Sequence, residues 1–405
     1  MIVRRLATLF LAALPLLLAG EGGAAELVVW HAYRAEEKAA LEKVVAAYNA
    51  KQKVVTVTTL AVPYDAFADK ITAAVPRGRG PDIFIYAQDR LGGWIEAGNT
   101  VEPIDFFLDQ PTKDRFIPTT LEAMTYRGSV WGLPLNYKVI TMIYNKKLVP
   151  TPPKTSAELV AVGKKLSDPA SGRFGLAYAY QDYYYHAALQ NAFGGRVFDA
   201  AGSPVLGAPE NVKALELLMR WIEKDRILPA EPSTALITSL FNEGKAAIVF
   251  NGPWFIGEIA KEIDYGLAPL PTIAEAGGKP MRPWMTVEGV CVTAPSKQKD
   301  QAYEFAKYLT DAEASKVMAV EGRQSPANKA VYSDPKVGED PVLKAFRAQV
   351  ETAVPMPNVP EMTMVWSPAT TAMNATTKKS LSPKQALDNA QKAVAHDVAQ
   401  LRKKP

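Results

Sequence analysis

From Glu26 onward the apolar positions switch repeatedly between two spacings. Leu27-Val28-Val29-Trp30 is a short apolar run of buried-strand type, and behind it Leu41, Val44, Val45 and Tyr48 recur at helical spacing. Val54 to Leu60 is β-branched and strand-like. Phe67, Ile71 and Val75 then mark a helix face before Pro76 and the Gly78-Arg79-Gly80-Pro81 turn, and Asp82 to Tyr86 gives a third strand. Strands separated by helices predict parallel βαβ units, which take ligands at the carboxyl ends of their strands. Beyond Trp131-Gly132-Leu133-Pro134 the pattern resumes. Val139 to Tyr144 reads as strand, Ser156 to Leu166 as a helix capped by Ser156, and Asn211 to Lys224 as a helix with Leu215, Leu218, Trp221 and Ile222 on one side. Ala246 to Phe250 is an apolar strand, Val290 to Thr293 another, and a helix follows near Gln301 to Leu309. From Pro341 the chain reads as almost wholly helical, with Ser382-Pro383 opening a last helix through Leu387, Ala390, Val394, Val398 and Leu401. The predicted fold class is α/β: two α/β units and a helical C-terminal segment.

The first 25 residues are of another kind. Arg4 and Arg5 precede an apolar run from Leu6 to Ala19, and Gly23 and Ala25 put small side chains three and one residues before a cut ahead of Glu26. This is the pattern of a secretory signal peptide, in a run shorter than the roughly 20 residues a membrane helix needs. With no cysteine near the cut to accept a lipid, the sequence predicts a periplasmic protein without a lipid anchor. Composition narrows its partners. The 405 residues carry 46 Lys plus Arg against 42 Asp plus Glu, with no long basic run, which speaks against nucleic acid. A 48% hydrophobic content supplies a large core and argues against overall disorder. The lone Cys291 excludes a disulfide framework and a thiol-based metal cluster.

Reactive motifs are missing. There is no phosphate loop, no dinucleotide-binding Gly-x-Gly-x-x-Gly after a strand, no His-Glu-x-x-His and no Gly-x-Ser-x-Gly. His31, His186 and His396 are far apart, and Cys291 lies in an apolar strand as an inert thiol. The expectation is a protein with no catalytic residue, no cofactor and no metal. A pair of carboxylates meeting in the fold, as glycoside hydrolysis requires, stays open.

The richest segment is Gly80-Pro81-Asp82-Ile83-Phe84-Ile85-Tyr86-Ala87-Gln88-Asp89-Arg90-Leu91-Gly92-Gly93-Trp94. Its strand carries Tyr86, Asp89 and Arg90 to a ligand-binding edge. There an ionised Asp accepts from hydroxyls, an Arg donates in a planar fork, and an aromatic face covers C–H surface. The set suits a sugar; an Asp-Arg ion pair at a helix start is the competing reading. The segment resembles the maltose/maltodextrin-binding proteins, the periplasmic receptors of ABC sugar importers. The resemblance continues in order through Leu27-Val28-Val29-Trp30, Ile143-Tyr144-Asn145-Lys146, Pro152-Pro153-Lys154-Thr155, Phe241-Asn242 with Gly244, Asn251-Gly252-Pro253-Trp254 and Met356-Pro357-Asn358-Val359-Pro360.

That resemblance implies two lobes with sugar in the cleft between them: an N-terminal lobe of 26–134 plus 289–336, a C-terminal lobe of 138–284 plus 341–405, and crossings near 134–138, 285–289 and 333–341. It puts the strand-end aromatic on Tyr86 and the hydroxyl-binding pair on Asp89 and Arg90. In the second lobe the acid falls on Asp182 and its tyrosine on Tyr184, with stacking tryptophans on Trp254 and Trp366. Arg34 covers part of a charged pair after the first strand, and Lys138 stands where the family has an acidic hinge residue. Trp284, near a crossing, is a further candidate. Asp65 reaches the cleft from the second helix or lies on its solvated face. Two family aromatics become Ala187 and Ile256, which leaves maltose, maltodextrin, trehalose and other small saccharides open as ligand. The implied partners are the transmembrane subunits of an ABC permease, and the implied state is a monomer. Two rivals differ in class: a secreted hydrolase using Asp89 and Asp182, and a receptor for a non-sugar solute such as a polyamine, which would want carboxylates in place of Arg90 and Lys138.

Overall fold

In the computed structural model, which describes residues 25–402, the strand Ala25–His31 buries Leu27 and Val29 completely. The expected signal segment lies outside the described residues except for Ala25, as do the side chains of Ala35 and Asp65. Ala25–His31 pairs in parallel with Val55–Ala61 on one side and with Ile83–Ala87 on the other. The crossovers are the helices Ala35–Lys51 and Tyr64–Ala74, so the βαβ units expected from the spacing are present. All five residues of Ile83–Ala87 are buried, as a central strand covered on both faces requires. Trp284–Val292 continues the sheet antiparallel to Ile83–Ala87, followed by Leu133–Val139 and the short Ser325–Pro326, while Val354–Pro355 adds to the start of Trp284–Val292. A second sheet of four strands runs in the order Tyr265–Ala268, Thr141–Asn145, Ala246–Asn251, Phe174–Ala177.

The single strand expected over 139–144 is two strands of different sheets, Leu133–Val139 and Thr141–Asn145, separated by Ile140. The run from Val139 to Ile143 is buried, and periodicity cannot mark a change of sheet inside such a run. Likewise Val290 to Val292 is the end of a nine-residue strand beginning at Trp284, with Thr293 just beyond it. The helix Ser156–Leu166 is capped by Thr155, whose hydroxyl accepts the Glu158 N–H at 3.2 Å. Ser156 is the first helical residue, and its hydroxyl accepts the Ala274 N–H instead. Ser382 caps the last helix, Pro383–Leu401, in a capping box with Gln385.

The chain passes between the sheets at Ile140 and again between Ala268 and Trp284. Ser325–Pro326 and Val354–Pro355, on either side of the helix Pro341–Val350, both belong to the larger sheet, and the last passage, into the core of the smaller sheet, follows Pro355. The segments 134–138 and 285–289 are themselves strand in the larger sheet. Two buried glutamines bind these passages together. Gln349 accepts from the Leu270 N–H at 2.7 Å and the Thr141 hydroxyl at 3.2 Å. Gln88 accepts the Val287 N–H at 2.7 Å and donates to the carbonyls of Met285 and Met356. The larger sheet has one core on each face, around Leu41 and Phe305 and around Phe67, Phe84 and Trp94. The smaller sheet shares a single core with the helices Trp366–Thr377 and Pro383–Leu401.

Candidate functional site

Arg34, Asp65, Asp89, Arg90, Asp182, Tyr184 and Trp254 follow the carboxyl ends of strands, the edge at which an open α/β sheet exposes side chains and backbone donors to a ligand. Tyr86 and Lys138, by contrast, lie within strands, Trp284 begins one and Trp366 begins a helix. Ile83–Ala87 delivers Tyr86 and then, through the turn Gln88–Arg90, Asp89 and Arg90. The helix Leu91–Glu96 packs so closely on the segment Met356–Pro360 that a Cβ on Gly92 would come within 2.3 Å of the Asn358 carbonyl. Gly92 therefore has to be glycine for its N–H to donate to that oxygen at 2.9 Å. The Asp89 carboxylate is 14% exposed and lies 3.5 Å from the Arg90 guanidinium. Burial pushes its carboxyl up to about 6, with Arg90 pulling the other way.

Tyr86 is the middle of an aromatic stack, 4.7 Å from Phe67 at an interplanar angle of 5° and 5.1 Å from Tyr64 at 28°. It is only 7% exposed, whereas Tyr64 is 48% exposed. The free aromatic face on this wall therefore belongs to Tyr64, a residue missed in the sequence reading. Burial and the neighbouring Asp89 raise its phenol to about 12. Its signal was its place directly after the second parallel strand, in Val62-Pro63-Tyr64.

On the other wall, Ala246–Asn251 ends in Gly252-Pro253-Trp254, and Trp254 is 43% exposed. Its indole folds back over Gly252, where a Cβ would lie 2.2 Å from Cη2. Phe174–Ala177 leads to Asp182, which caps the helix Tyr183–Ala192 by accepting the Tyr184 N–H at 2.9 Å through Oδ1. Its Oδ2 has no protein partner among the described residues. Of the three adjacent tyrosines, Tyr183 and Tyr185 are buried and hydrogen-bonded to Gln190 and Asn251. Tyr184 alone belongs to the half-open aromatic group. Its ring lies 6.3 Å from Trp254 and 6.5 Å from Trp284, and Trp284 meets Trp366 edge-on at 6.0 Å. Trp284 is 2% exposed and stands behind Tyr184 and Trp366 as backing. Trp366 is half-buried at the start of its helix.

A cleft of about 550 Å³ is lined from both sheets, by Arg34, Glu37, Lys138 and Arg323 on one side and Trp254 and Ile256 on the other. Of the predicted site residues Arg34, Lys138 and Trp254 line it, and Tyr86, Asp89, Arg90, Asp182, Tyr184 and Trp366 lie outside its lining. It adjoins a further space of about 350 Å³ through Pro253, Ile256, Arg323 and Ser325. Arg34 is exposed at the mouth. Lys138 is held below it by Glu288 at 3.0 Å and Glu37 at 3.8 Å. Burial works against the Lys138 charge, yet the two carboxylates hold its pKa above the ordinary value. Glu288 is correspondingly held below its own range, against burial, chiefly by Lys138. Asp65 lies on the helix Tyr64–Ala74 with its side chain outside the described part. No group of three or more metal-ligating side chains occurs among the described residues.

The sequence matches the family model for bacterial extracellular solute-binding protein over residues 31–316. A maltotriose-binding protein of Pyrococcus abyssi (strain GE5 / Orsay) is 35% identical over 350 residues, covering 85% of this chain and 76% of that one. A galactooligosaccharide-binding protein of Bacillus subtilis (strain 168) is 29% identical over 379 residues, covering 90% and 87%. Among solved structures, a cyclo/maltodextrin-binding protein complexed with maltotetraose matches with a TM-score of 0.85 at 31% identity, over 94% of this chain and 98% of that one. The Thermus thermophilus maltotriose binding protein bound with maltotriose matches with a TM-score of 0.78 at 28% identity, over 92% and 100%. With the family model spanning more than half of the chain, the two α/β units are the lobes of a periplasmic-binding-protein fold, and this protein belongs to the bacterial extracellular solute-binding protein family.

Proposed function

We propose that this protein is the solute receptor of an ABC importer, that it binds an α-linked glucose oligosaccharide of the maltodextrin class between its lobes, and that it hands the sugar to the permease intact. The observation that carries this is the placing of open aromatic faces, Tyr64 on one wall and Trp254 with Tyr184 on the other, beside the hydroxyl-binding groups Asp89, Arg90 and Asp182. A pyranose has apolar C–H faces and an equator of hydroxyls, so aromatic planes flanked by acceptors and donors match it. Trp366 and Arg34 extend the two walls, with Lys138 at the floor; Trp284 supports the platform from behind.

Ligand that touches both lobes favours the closed form by its extra contacts there, and the passages at Ile140, at 268–284 and after Pro355 act as the hinge. Residues 1–25 direct export to the periplasm and are removed; the mass of the secreted protein tests this. The protein acts as a monomer without cofactor.

Calorimetry with maltose, maltotriose, maltotetraose, trehalose, a galactooligosaccharide and a polyamine decides the ligand class. Maltotriose is expected to bind, and to be recovered uncleaved by chromatography. Binding of the polyamine alone, or release of glucose, would sink the reading. Trp254→Ala is expected to lose about 2 kcal/mol of maltotriose affinity, roughly thirtyfold, with Asp89→Ala comparable. Wild-type affinity in both variants would refute the site.

A further inference from the structure

Glu288 lies on the central strand Trp284–Val292 and is 7% exposed, although nothing in its sequence surroundings marks it as polar machinery. Both of its oxygens are occupied. Oε1 accepts from the Lys138 ammonium at 3.0 Å, and Oε2 accepts from the Tyr33 hydroxyl at 2.9 Å. Tyr33 in turn accepts from Asn136 Nδ2 at 2.8 Å. Glu288 and Asn136 face each other across neighbouring antiparallel strands, and Lys138 lies two residues further along the same face. From the first helix Glu37 stands 3.8 Å from Lys138 Nζ and is itself held by the Gln324 amide. Two strands, the first helix and the loop residues Tyr33 and Gln324 thus fix one carboxylate and one ammonium at the floor of the cleft.

Stability alone does not account for such a pair. Taking both ions out of water offsets most of their mutual attraction, and apolar residues of similar volume would fill the site as well or better. An ammonium, however, has three N–H donors. Glu288 takes one, Glu37 stands beyond hydrogen-bond reach, and Lys138 is 25% exposed on the cleft surface.

We propose that Glu288 is a positioning residue that holds the Lys138 ammonium at the cleft floor with N–H donors free, and that Lys138 thereby donates to hydroxyl oxygens of the bound oligosaccharide. The second half rests on the sugar-binding reading above; the first half does not. Glu288 never touches the ligand. Its carboxylate sets where the donor stands, and Tyr33 sets where the carboxylate stands.

The test uses the full mature protein with maltotriose as probe. Glu288→Gln and Lys138→Met should each weaken binding about tenfold, the scale of a hydrogen bond to a charged group, and the double variant should be no weaker than the poorer single one. Glu288→Asp should recover part of the loss. Additive losses, or wild-type affinity in Glu288→Gln, would overturn the proposal while leaving the sugar reading intact. The ligand-free protein gives a readout that survives failure of that reading. In Glu288→Gln the Lys138 amine should be acetylated several-fold faster by limiting acetic anhydride, followed by peptide mass spectrometry, and an unchanged rate would overturn the proposal whatever the ligand proves to be. Should Glu288→Gln not fold, Tyr33→Phe removes one hydrogen bond from the carboxylate; it should give a smaller change of the same sign in both measurements, and no change in either would count against the proposal.

Discussion

Asp89 is the residue whose chemistry most directly exposes the proposed site to test, because its burial is incomplete and its partner is close. Its carboxyl is pushed up to about 6. Hydroxyls donating to the carboxylate favour the ionised form, so the complex holds fewer protons than the free protein. Maltotriose affinity should therefore be full above pH 6 and should fall as the pH drops through that value. Asp89→Asn should flatten the profile; a wild-type affinity that is level from pH 7 to 5 would remove Asp89 from the site. Gly252 offers a second test without touching a polar group. Its φ of −97° admits alanine, but the added Cβ would meet the Trp254 ring at 2.2 Å. Gly252→Ala should displace the indole, shift tryptophan fluorescence and weaken binding, with stability changed by about 1 kcal/mol or less.

Elements show how local chemistry sets the frame around these residues. The last helix begins at Ser382 with its hydroxyl on the Gln385 N–H and the Gln385 side chain on the Ser382 N–H, and Ala386, Leu387, Ala390, Val394 and Val398 pack into the core beneath the smaller sheet. Ser382→Ala should cost about 1 kcal/mol in urea unfolding with no change in sugar affinity. This helix was legible in the sequence because cap, proline and apolar spacing agree. The two strands on either side of Ile140 were not, because Val139-Ile140-Thr141 is buried throughout and has no glycine, proline or charged residue to mark the change of sheet. The cap of the helix Ser156–Leu166 was missed by one residue for a related reason. Thr155 and Ser156 are both capable caps, and the outcome depends on Ala274 and Glu275, which engage Ser156 from far along the chain.

At the scale of the whole molecule, the two lobes are joined where buried glutamines satisfy backbone groups that leave one sheet for the other. Gln349 is fully buried, and the Leu270 N–H depends on it. Gln349→Leu leaves that donor unpaired and should cost about 1 to 3 kcal/mol of stability. Since it also loosens the passages between lobes, it should alter the contraction on maltotriose seen by small-angle scattering. A variant with wild-type stability and contraction would show that the hinge does not rely on this residue.

The sequence by itself determined the parallel βαβ order, the helical C-terminal segment and the strand ends at Tyr86, Asp89, Arg90 and Trp254, because spacing, caps and turn residues are local properties of the chain. The aromatic content was legible only in part. The tertiary structure decided that Tyr64, not Tyr86, shows the open face, that Tyr184 alone of three tyrosines reaches the half-open group, and that Trp284 is backing. It also brought Glu288 to Lys138 across 150 residues. Exposure and charge pairing are set by whichever distant segments pack against a residue, and no spacing within one segment records them.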